Sequence, residues 1–496
     1  MSAFEKRLKR QVIGKPHRFL AVVPLGFEKT FVREMDFLRR ENVENQGTSS
    51  LDIKIAGDGK VEFTAKLVDA WKVVAYSRIA NRILMHIADF KAENFRELEK
   101  KAAEIPWELF LTTNHQPLTT IHVTCKHSRL YHSDAVAERL QKVIEGGSLP
   151  LAAAPAGSSA TPSAGAPRNA PKSETSDLAP HTSNLYVTLI DDRCTLWLDL
   201  AGEELYKRGH ERFVNDAPLK ETIAAAILQE AFNAAILTTN HQPLITLIDP
   251  MSGSGTFSLE AAYMANGLIP GKCRDFALKH QPAFKPATWN HIVNSANANP
   301  NPSLQENNDS ELSLRRNDDS MLSLRRNEVT AAIPGTIHKI ITSDISERAV
   351  EIIQHNVECC PLANIAPSTA APTINPQLRD FFSYTAKEIA ELCGESAPII
   401  ALNPPYGKRL DFDAPKLYTQ IGKKLAELAR ELAPIGKQLT IAILAPKDDS
   451  RPGSKYTCTA NLLHECPALD PQQNSDAKNI VTSHGGLSLN AIIARI

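Results

Sequence analysis

The sequence predicts two parts of different fold class, an α+β part followed by a doubly wound, mostly parallel α/β sheet. Residues 1–200 combine strands with helices in an α+β pattern. After Asp216, strands and helices alternate regularly, which is typical of parallel strands joined by crossover helices. Two polar stretches, about 146–181 and about 294–327, interrupt this pattern and are poor in large apolar residues, so we expect them to be insertions.

Hydrophobic patterning places each element in order. In the α+β part, the predicted strands are 19–24, 61–64, 121–125, 185–190 and 195–200, and the predicted helices are 27–40, 66–87, 94–103 and 132–145. In the second part, the predicted order is helix 217–237, strand 244–248, helix 256–266, strand 337–343, helix 346–358, strand 398–402, helix 415–433 and strand 438–444.

Composition excludes several classes of protein. The 55 Lys and Arg balance 56 Asp and Glu to a net charge of −1, so attraction to nucleic acid must come from local clusters of charge. The eight cysteines show no repeated metal-ligand spacing, and the N-terminus is charged, unlike a signal peptide. We therefore expect a cytoplasmic, reduced protein with no metal site. No stretch approaches the ~20 apolar residues of a membrane span, so no membrane partner is expected.

Two repeats each allow two interpretations. The octapeptide LTTNHQPL occurs at 111–118 and at 237–244, where it is predicted to connect a helix to a strand, although His115 and His241 also allow a metal pair. The 294–327 stretch contains the near-copies NDSELSLRRN and DDSMLSLRRN. It is either a solvated surface insertion or an RNA-binding arm, because each copy carries a pair of arginines.

A glycine-rich turn, DPMSGSGT at 249–256, lies between an apolar strand and a helix. Gly253 and Gly255 would let the backbone turn tightly and let a ligand approach the amides at the helix N-terminus. The turn matches neither the phosphate-cradling nor the dinucleotide-binding glycine pattern. On its own it is therefore either a ligand site or a structural turn.

The next predicted strand ends in Asp344, where an acid can accept hydrogen bonds from ribose hydroxyls. It follows Asp249 by 344 − 249 = 95 residues, against ~20 in a minimal unit, so the intervening insertion has to loop out. Asp344 could instead cap the following helix, as could Ser343 or Ser346.

The segment Asn403-Pro404-Pro405-Tyr406 directly follows the apolar strand 398–402. The carboxyl end of a central strand is where open α/β sheets bind ligands. An exocyclic base amine is a poor nucleophile, and acceptors for its hydrogens, here the Asn403 side-chain oxygen and the Pro404 carbonyl, restore lone-pair density on nitrogen. Tyr406 offers a ring on which an extruded base can stack. The alternative is a proline-stiffened turn.

Taken together, these motifs resemble the S-adenosylmethionine-dependent RNA guanine-N2 methyltransferases that carry an N-terminal THUMP domain, including the bacterial 23S rRNA enzymes. The resemblance covers nearly the whole chain outside the insertions. It rests on AYSRIANRIL (75–84), DLAGEELYKRGHER (199–212), APLKETIAAAIL (217–228), DPMSGSGTFSLEAA (249–262), IPGKCRDFAL (269–278), SDISERAVEIIQHN (343–356), NPPYGKRL (403–410) and HGGL (484–487).

The resemblance implies three domains and assigns roles to the motifs. It implies a ferredoxin-like piece at 1–65, a THUMP RNA-binding domain at 66–198, and a Rossmann-like class I methyltransferase domain at 199–496. The target base would lie against Asn403, Pro404, Pro405 and Tyr406. The cofactor S-adenosylmethionine would contact Asp249, Gly253, Ser254, Gly255, Thr256 and Asp344, with Asp380 on its adenine side and Pro218 in the segment that closes over its methionine part.

The N-terminus carries a cluster of cations, which includes Lys6, Arg7, Lys9 and Arg10. These residues either contact RNA phosphates or only aid solubility.

We therefore expect a monomeric RNA methyltransferase that acts in rRNA processing on a guanine N2 amine of 23S rRNA. The chain ends at Ile496 without the second methyltransferase module of some relatives, so a single modification activity is expected. Two alternatives remain open: a tRNA guanine-N2 or adenine-N6 methyltransferase, and a noncatalytic RNA-binding ribosome assembly factor. The chain departs from the family pattern at Ser252, where relatives often have cysteine, and at His210, where an aromatic residue is common.

Overall fold

The computed structural model describes residues 2–40, 52–112, 120–146, 183–210, 212–214, 218–236, 244–295, 336–364, 372–406, 413–448 and 457–496. The two predicted insertions and both LTTNHQPL copies lie outside the described residues apart from their ends. Within these ranges, no helix combines the length and the apolar character needed to cross a membrane.

The elements are short in the first part of the chain. In order they are α1 (Ala3–Leu8), β1 (Pro16–Val22), α2 (Glu28–Arg40), β2 (Asp52–Gly57), β3 (Lys60–Lys66), α3 (Leu67–Tyr76), β4 (Arg82–Lys91), α4 (Phe95–Ala103), β5 (Thr120–Lys126), α5 (Ser133–Gly146), β6 (Asn184–Ile190) and β7 (Arg193–Asp199).

Strands and helices alternate more regularly in the second part. They are α6 (Glu221–Ile236), β8 (Ile245–Asp249), α7 (Thr256–Ala265), α8 (Pro286–Ser295), β9 (Ile337–Asp344), α9 (Glu347–Cys359), β10 (Pro376–Leu378), α10 (Ala386–Cys393), β11 (Ala397–Leu402), α11 (Ala414–Leu432), β12 (Thr440–Pro446), α12 (Cys458–Glu465), β13 (Lys478–His484) and β14 (Leu487–Arg495).

The chain forms two compact units, and each takes several separate stretches of sequence. The first unit comprises 1–18, 84–203 and 276–285, and the second comprises 19–83, 204–275 and 286–496. The domain boundaries expected at 65 and 198 stay a prediction.

In the first unit, four strands lie in the order β4-β7-β6-β5. The β4–β7 and β7–β6 pairs are antiparallel, and β6–β5 is parallel. One face of these strands turns apolar side chains inward, and α4 and α5 supply further buried side chains. The buried residues include Leu98, Val136, Leu140, Leu185, Val187 and Leu196.

The second unit contains a seven-stranded sheet in the order β10-β9-β8-β11-β12-β14-β13. The strands from β10 to β12 are mutually parallel, and β14 is antiparallel to both β12 and β13. From β8 the chain proceeds outward through β9 and β10 on one side and through β11 and β12 on the other. The strand order therefore reverses between β8 and β11, which is where open α/β sheets bind ligands. The predicted doubly wound sheet is confirmed.

Central strands of this sheet are buried on both faces. Every residue of β8 is buried, and so is every residue of α6 from Thr222 to Ile236. Another core cluster joins β11 and β12 to α10, α11 and α12, and it includes the fully buried Tyr418. These strands read as continuous apolar runs in the sequence because neither face meets water.

The predicted helix 66–87 is wrong beyond Tyr76. The α3 helix ends there, and β4 begins at Arg82. The Glu34 carboxylate accepts hydrogen bonds from the Ser77 hydroxyl (2.6 Å) and from the Arg78 amide (2.8 Å), so a residue on α2 holds the chain as it leaves the helix. Pairing of β4 with β7 then supplies backbone partners that local periodicity cannot reveal.

Candidate active site

Four sequence-predicted residues meet at one edge of the seven-stranded sheet. Asp249 ends β8, Asp344 ends β9, Asn403 follows β11, and Asp380 lies two residues beyond β10. The register pairs Asp249 with Thr342, Leu378 with Asp344, and Ile400 with Ile248. Asp249 and Asp344 are 95 residues apart in sequence. They nevertheless lie at the ends of adjacent strands, because the carboxyl ends of parallel strands share an edge.

The glycine turn uses backbone conformations that favour glycine. Gly253 has φ +57° and Gly255 has φ +78°. A Cβ at Gly255 would lie 3.1 Å from Ile353 Cγ2, whereas a Cβ at Gly253 would meet no heavy atom within 4 Å. Gly255 is therefore needed for close packing against α9, and Gly253 leaves room beside the turn for a ligand.

Hydrogen bonds attach this turn to the neighbouring strand. The Gly253 amide donates to Asp344 Oδ2 (2.9 Å), and the Ser252 hydroxyl donates to the Ser343 carbonyl (2.8 Å). Ser252 thus makes a specific contact at the position where relatives often have cysteine. The other departure, His210, places its Nε2 3.0 Å from the Tyr263 hydroxyl.

Asn356, for which no role was predicted, also holds the turn. Its amide nitrogen donates to the carbonyls of Ser254 (3.1 Å) and Phe213 (2.9 Å), and its oxygen accepts from the Phe213 amide (2.8 Å). The residue lies inside the quoted motif SDISERAVEIIQHN. The feature that could have indicated this role is a polar side chain at a buried helix position, because buried polar groups are normally hydrogen-bonded.

Ser346, rather than Asp344, caps α9. The Ser346 hydroxyl accepts from the Ala349 amide (3.4 Å), so the helix-cap interpretation of Asp344 is wrong. The Asp344 carboxylate accepts instead from the amides of Gly253 and Ser346, each at 2.9 Å. A half-buried carboxylate has further lone pairs, which suits a ligand hydroxyl.

Asp249 is fully buried, and one of its oxygens lacks a partner among the described residues. Its Oδ2 accepts from the Ser258 amide (3.2 Å) and hydroxyl (2.8 Å), while Oδ1 is buried without a hydrogen bond. Loss of hydration raises the pKa of Asp249 to about 7, with a smaller contribution from the nearby Asp344 charge. An unsatisfied buried acceptor of this kind fits a ligand that brings a hydrogen-bond donor.

A second unsatisfied acceptor lies at the end of β11. Asn403 Oδ1 is buried and has no hydrogen-bond partner in the described part of the chain. The next residue, Pro404, is buried, Pro405 is exposed and Tyr406 is half-buried. Burial raises the pKa of Tyr406 to about 12, so its hydroxyl is un-ionised at neutral pH.

His484 connects two of the predicted segments. Its Nδ1 lies 3.5 Å from the Tyr406 hydroxyl, and its ring also hydrogen-bonds the Pro218 carbonyl. Burial lowers the pKa of His484, which favours a neutral ring. The HGGL segment, quoted from the sequence without a role, thus brings Pro218 close to the Asn403–Tyr406 segment.

The remaining predicted residues take less central positions. Ser254 and Thr256 both contact the Arg212 guanidinium, which also pairs with Glu221. Asp380 begins a short helical turn, where its Oδ1 accepts from the Phe382 amide (3.0 Å).

An arginine in one of the quoted motifs holds α7, the helix that follows the glycine turn. Arg208 forms a buried two-pronged ion pair with Glu260 on α7 (2.9 and 3.1 Å), and it also donates to the Arg78 carbonyl. The motifs at 75–84 and 199–212 therefore help to fix the helix that follows the glycine turn.

In the first unit, Lys6, Arg7, Lys9 and Arg10 are all exposed, and Arg7 pairs with Glu108 at 3.0 Å.

No group of three or more potential metal ligands occurs among the residues that the structure describes.

The sheet order, the glycine turn after β8, the acid after β9 and the Asn-Pro-Pro-Tyr segment after β11 together define an α/β methyltransferase fold of class I. Residues 208–441 match a family model described as "RMKL-like, methyltransferase domain". This segment is therefore similar to the RMKL-like methyltransferase domain, in agreement with the methyltransferase fold.

Curated relatives extend the likeness beyond that segment. Ribosomal RNA large subunit methyltransferase K/L of Syntrophotalea carbinolica is 24% identical over 83% of this chain and 47% of its own length. YpsC of Bacillus subtilis is 26% identical over 80% of each protein. The chain thus spans about half the length of the K/L relative.

A solved structure shares the fold along nearly the whole chain. SMU.472, determined in complex with SAH, superimposes with a TM-score of 0.61 at 21% identity and covers 98% of each chain. At this level of identity, the match supports the fold alone.

Proposed function

We propose that this protein transfers a methyl group from S-adenosylmethionine to the exocyclic N2 amine of a guanine in 23S rRNA. The main support for the proposal is the Asn403 side-chain oxygen, which is buried at the carboxyl end of β11 and has no hydrogen-bond partner among the described residues. It is supported by the K/L relative, whose name states activity on large-subunit ribosomal RNA, and by SAH in the SMU.472 structure.

The residues present fit the cofactor. Within the described ranges, one buried oxygen of Asp249 has no hydrogen-bond partner. Asp344 has spare lone pairs, and Gly253 leaves open space beside the turn. Pro218, Ser254, Thr256 and Asp380 would complete its surroundings. Bound there, S-adenosylmethionine would supply an electrophilic methyl group.

The chain's own residues would prepare the amine. Asn403 Oδ1 and the Pro404 carbonyl would accept hydrogen bonds from its two hydrogens, which turns the nitrogen lone pair away from the purine ring. Pro405 stiffens the segment, and the Tyr406 ring would stack on the extruded base. The methylated amine is acidic and loses its proton to water, so no protein base is needed.

The first unit would capture the RNA. In this proposal it contributes most of the THUMP domain expected at 66–198, and Lys6, Arg7, Lys9 and Arg10 would contact phosphates. Most of the ferredoxin-like piece expected at 1–65 lies in the second unit. Such contacts give affinity and salt dependence with little sequence preference.

A series of Asn403 variants tests the amine-acceptor role. Asn403→Ala removes a preorganised acceptor and should slow single-turnover methylation by ~10²–10³, by analogy with the loss of one oxyanion-hole donor. Asn403→Asp keeps an oxygen in nearly the same place and should retain more activity than alanine. Calorimetric SAH affinity is the internal control and should barely change. Equal rates for wild type and Asn403→Ala would contradict the assigned role.

The substrate is tested separately in cells. Mass-spectrometric mapping of methylated guanines in rRNA and tRNA from a deletion strain and its parent should show one N2-methylguanine missing from 23S rRNA. If the missing N2-methylguanine is found in tRNA, or if an N6-methyladenine is missing instead, that nucleotide replaces the proposed substrate. Unchanged modification together with defective subunit assembly would favour a noncatalytic assembly factor.

A further inference from the structure

We propose that one face of the β4-β7-β6-β5 strands binds single-stranded RNA, with unpaired bases stacked on a row of rings and phosphates on a row of cations. The proposal rests on the proposed function, because it takes RNA as the substrate. It assigns the contact to a surface that the sequence reasoning did not single out.

The ring row crosses four neighbouring strands. The register pairs His122 with Tyr186, Tyr186 with Trp197, and Trp197 with His86. The His122 and Tyr186 rings are stacked, with centroids 4.7 Å apart and an interplanar angle of 18°. The His86 ring meets Trp197 edge-on at 5.2 Å.

Exposure decides which rings are available to a ligand. His122 is exposed and Tyr186 is half-buried, whereas Trp197 is buried and has the Arg18 guanidinium 5.2 Å above its ring. His122 and Tyr186 thus form the accessible end of the row. Stacked rings on an exposed strand surface are suited to unpaired bases, because each base has a π-face and stacking tolerates any sequence.

A second row, four residues further along the strands, is basic. Here the register pairs Lys126 with Ile190, Ile190 with Arg193, and Arg193 with Lys91. Side chains two apart on a strand share a face, so this row lies on the same face as the rings, ~13 Å away at about 3.3 Å per residue. Between the two rows lie Thr124, Thr188 and Thr195 with their hydroxyl groups.

A bulge in β4 brings its charged residues onto this face. The register shifts between His86 and Ala88, so that Asp89 pairs with Thr195 and Lys91 with Arg193. The Asp89 carboxylate contacts the side chains of Arg193, His86 (3.4 Å) and Arg18 (3.8 Å), so these four side chains lie together. On the face so defined, four cations (Arg18, Lys91, Lys126 and Arg193) outnumber two acids, Asp89 and Glu93, the second of which pairs with Lys91 at 2.6 Å. That excess complements a phosphate backbone, although the whole chain is nearly neutral.

The test measures bases and phosphates separately. Full-length protein is titrated by fluorescence anisotropy with a labelled 12-nucleotide oligouridylate and with an abasic oligonucleotide of the same length. The paired variant His122→Ala with Tyr186→Leu should bind oligouridylate about 10-fold more weakly, within the range known for loss of base stacking. Its affinity for the abasic strand should stay unchanged. Tyr186→Phe should behave like wild type because it keeps the ring.

The chain offers a matched control. Tyr131 is exposed and lies against His132, with ring centroids 4.1 Å apart, but this pair lies outside the sheet. Tyr131→Ala should bind both probes as wild type does. Lys126→Gln should reduce the slope of log affinity against log salt by ~0.7, the value for one phosphate contact on a single strand.

The outcomes separate this surface from the proposed function. If the paired variant, with a wild-type circular dichroism spectrum, binds oligouridylate like wild type while methylation proceeds, the stacking surface is refuted and the proposed function stands. If wild type binds neither probe and methylates no RNA, both proposals fail. If the paired variant does not fold, the same comparison is made with His122→Ala alone, because that side chain is exposed and its removal should not disturb folding.

Discussion

Asp249→Asn should change how the stability of the protein depends on pH. Asp249 is fully buried, and burial raises its pKa from 3.8 to about 7. A difference of about 3 pKa units corresponds to roughly 4 kcal/mol between the two protonation states, at ~1.4 kcal/mol per unit. Asparagine has the same size and can still accept from Ser258 through its oxygen, but it carries no charge.

The sign follows from proton binding. In the unfolded chain Asp249 loses its proton near 3.8, and in the native protein near 7, so between these values the native state holds more protons. The free energy of unfolding therefore falls as pH rises through this window, and the loss is complete above about 7. For the single group, the slope is at most ~1.4 kcal/mol per pH unit.

Urea denaturation at pH 5, 6, 7 and 8, without cofactor, measures this effect. Between pH 5 and pH 8 the variant should gain roughly 3 kcal/mol of stability relative to wild type, because about two of the three pKa units of the window lie above pH 5. Asp58→Asn, an exposed site in the β2–β3 turn, is the matched control and should follow wild type. A constant difference between wild type and Asp249→Asn across this range would refute the reasoning.

Three further substitutions test the site and its support. Asp344→Ala should weaken SAH binding by ~1.5–3 kcal/mol in calorimetry, through the loss of hydrogen bonds to a charged acceptor, and unchanged affinity would remove Asp344 from the cofactor site. Gly255→Ala should lower the free energy of unfolding more than Gly253→Ala, because only its Cβ meets Ile353, at 3.1 Å, and equal losses in denaturation would contradict this. Glu260→Gln should lower the free energy of unfolding by about 3–5 kcal/mol in the same assay, because it leaves the Arg208 charge buried and unpaired. A loss below ~1 kcal/mol, the value for an exposed pair, would contradict this.

Local patterns predicted eight of the fourteen elements described in the second part of the chain, and α8, β10, α10, α12, β13 and β14 were not predicted. Predicted strand 244–248 became Ile245–Asp249 and predicted helix 415–433 became Ala414–Leu432, each within about one residue. These elements are buried on a continuous face or on both faces, so their apolar periodicity reports directly on structure. The polar residues that end the parallel strands were visible for the same reason: an apolar run stops where the strand leaves the core.

Local sequence patterns therefore identified the central parallel strands, the helices between them and the polar residues at the strand ends. The tertiary structure decided which polar groups face one another: that Ser346 rather than Asp344 caps α9, that Asn356 holds the glycine turn, and that His484 reaches both Tyr406 and Pro218. It also decided that Arg82–Lys91 is a strand with a bulge. Periodicity is a property of neighbours along the chain, whereas strand pairing, the satisfaction of buried polar groups and the pKa of a buried acid depend on residues far apart in sequence, and those meet only when the chain folds.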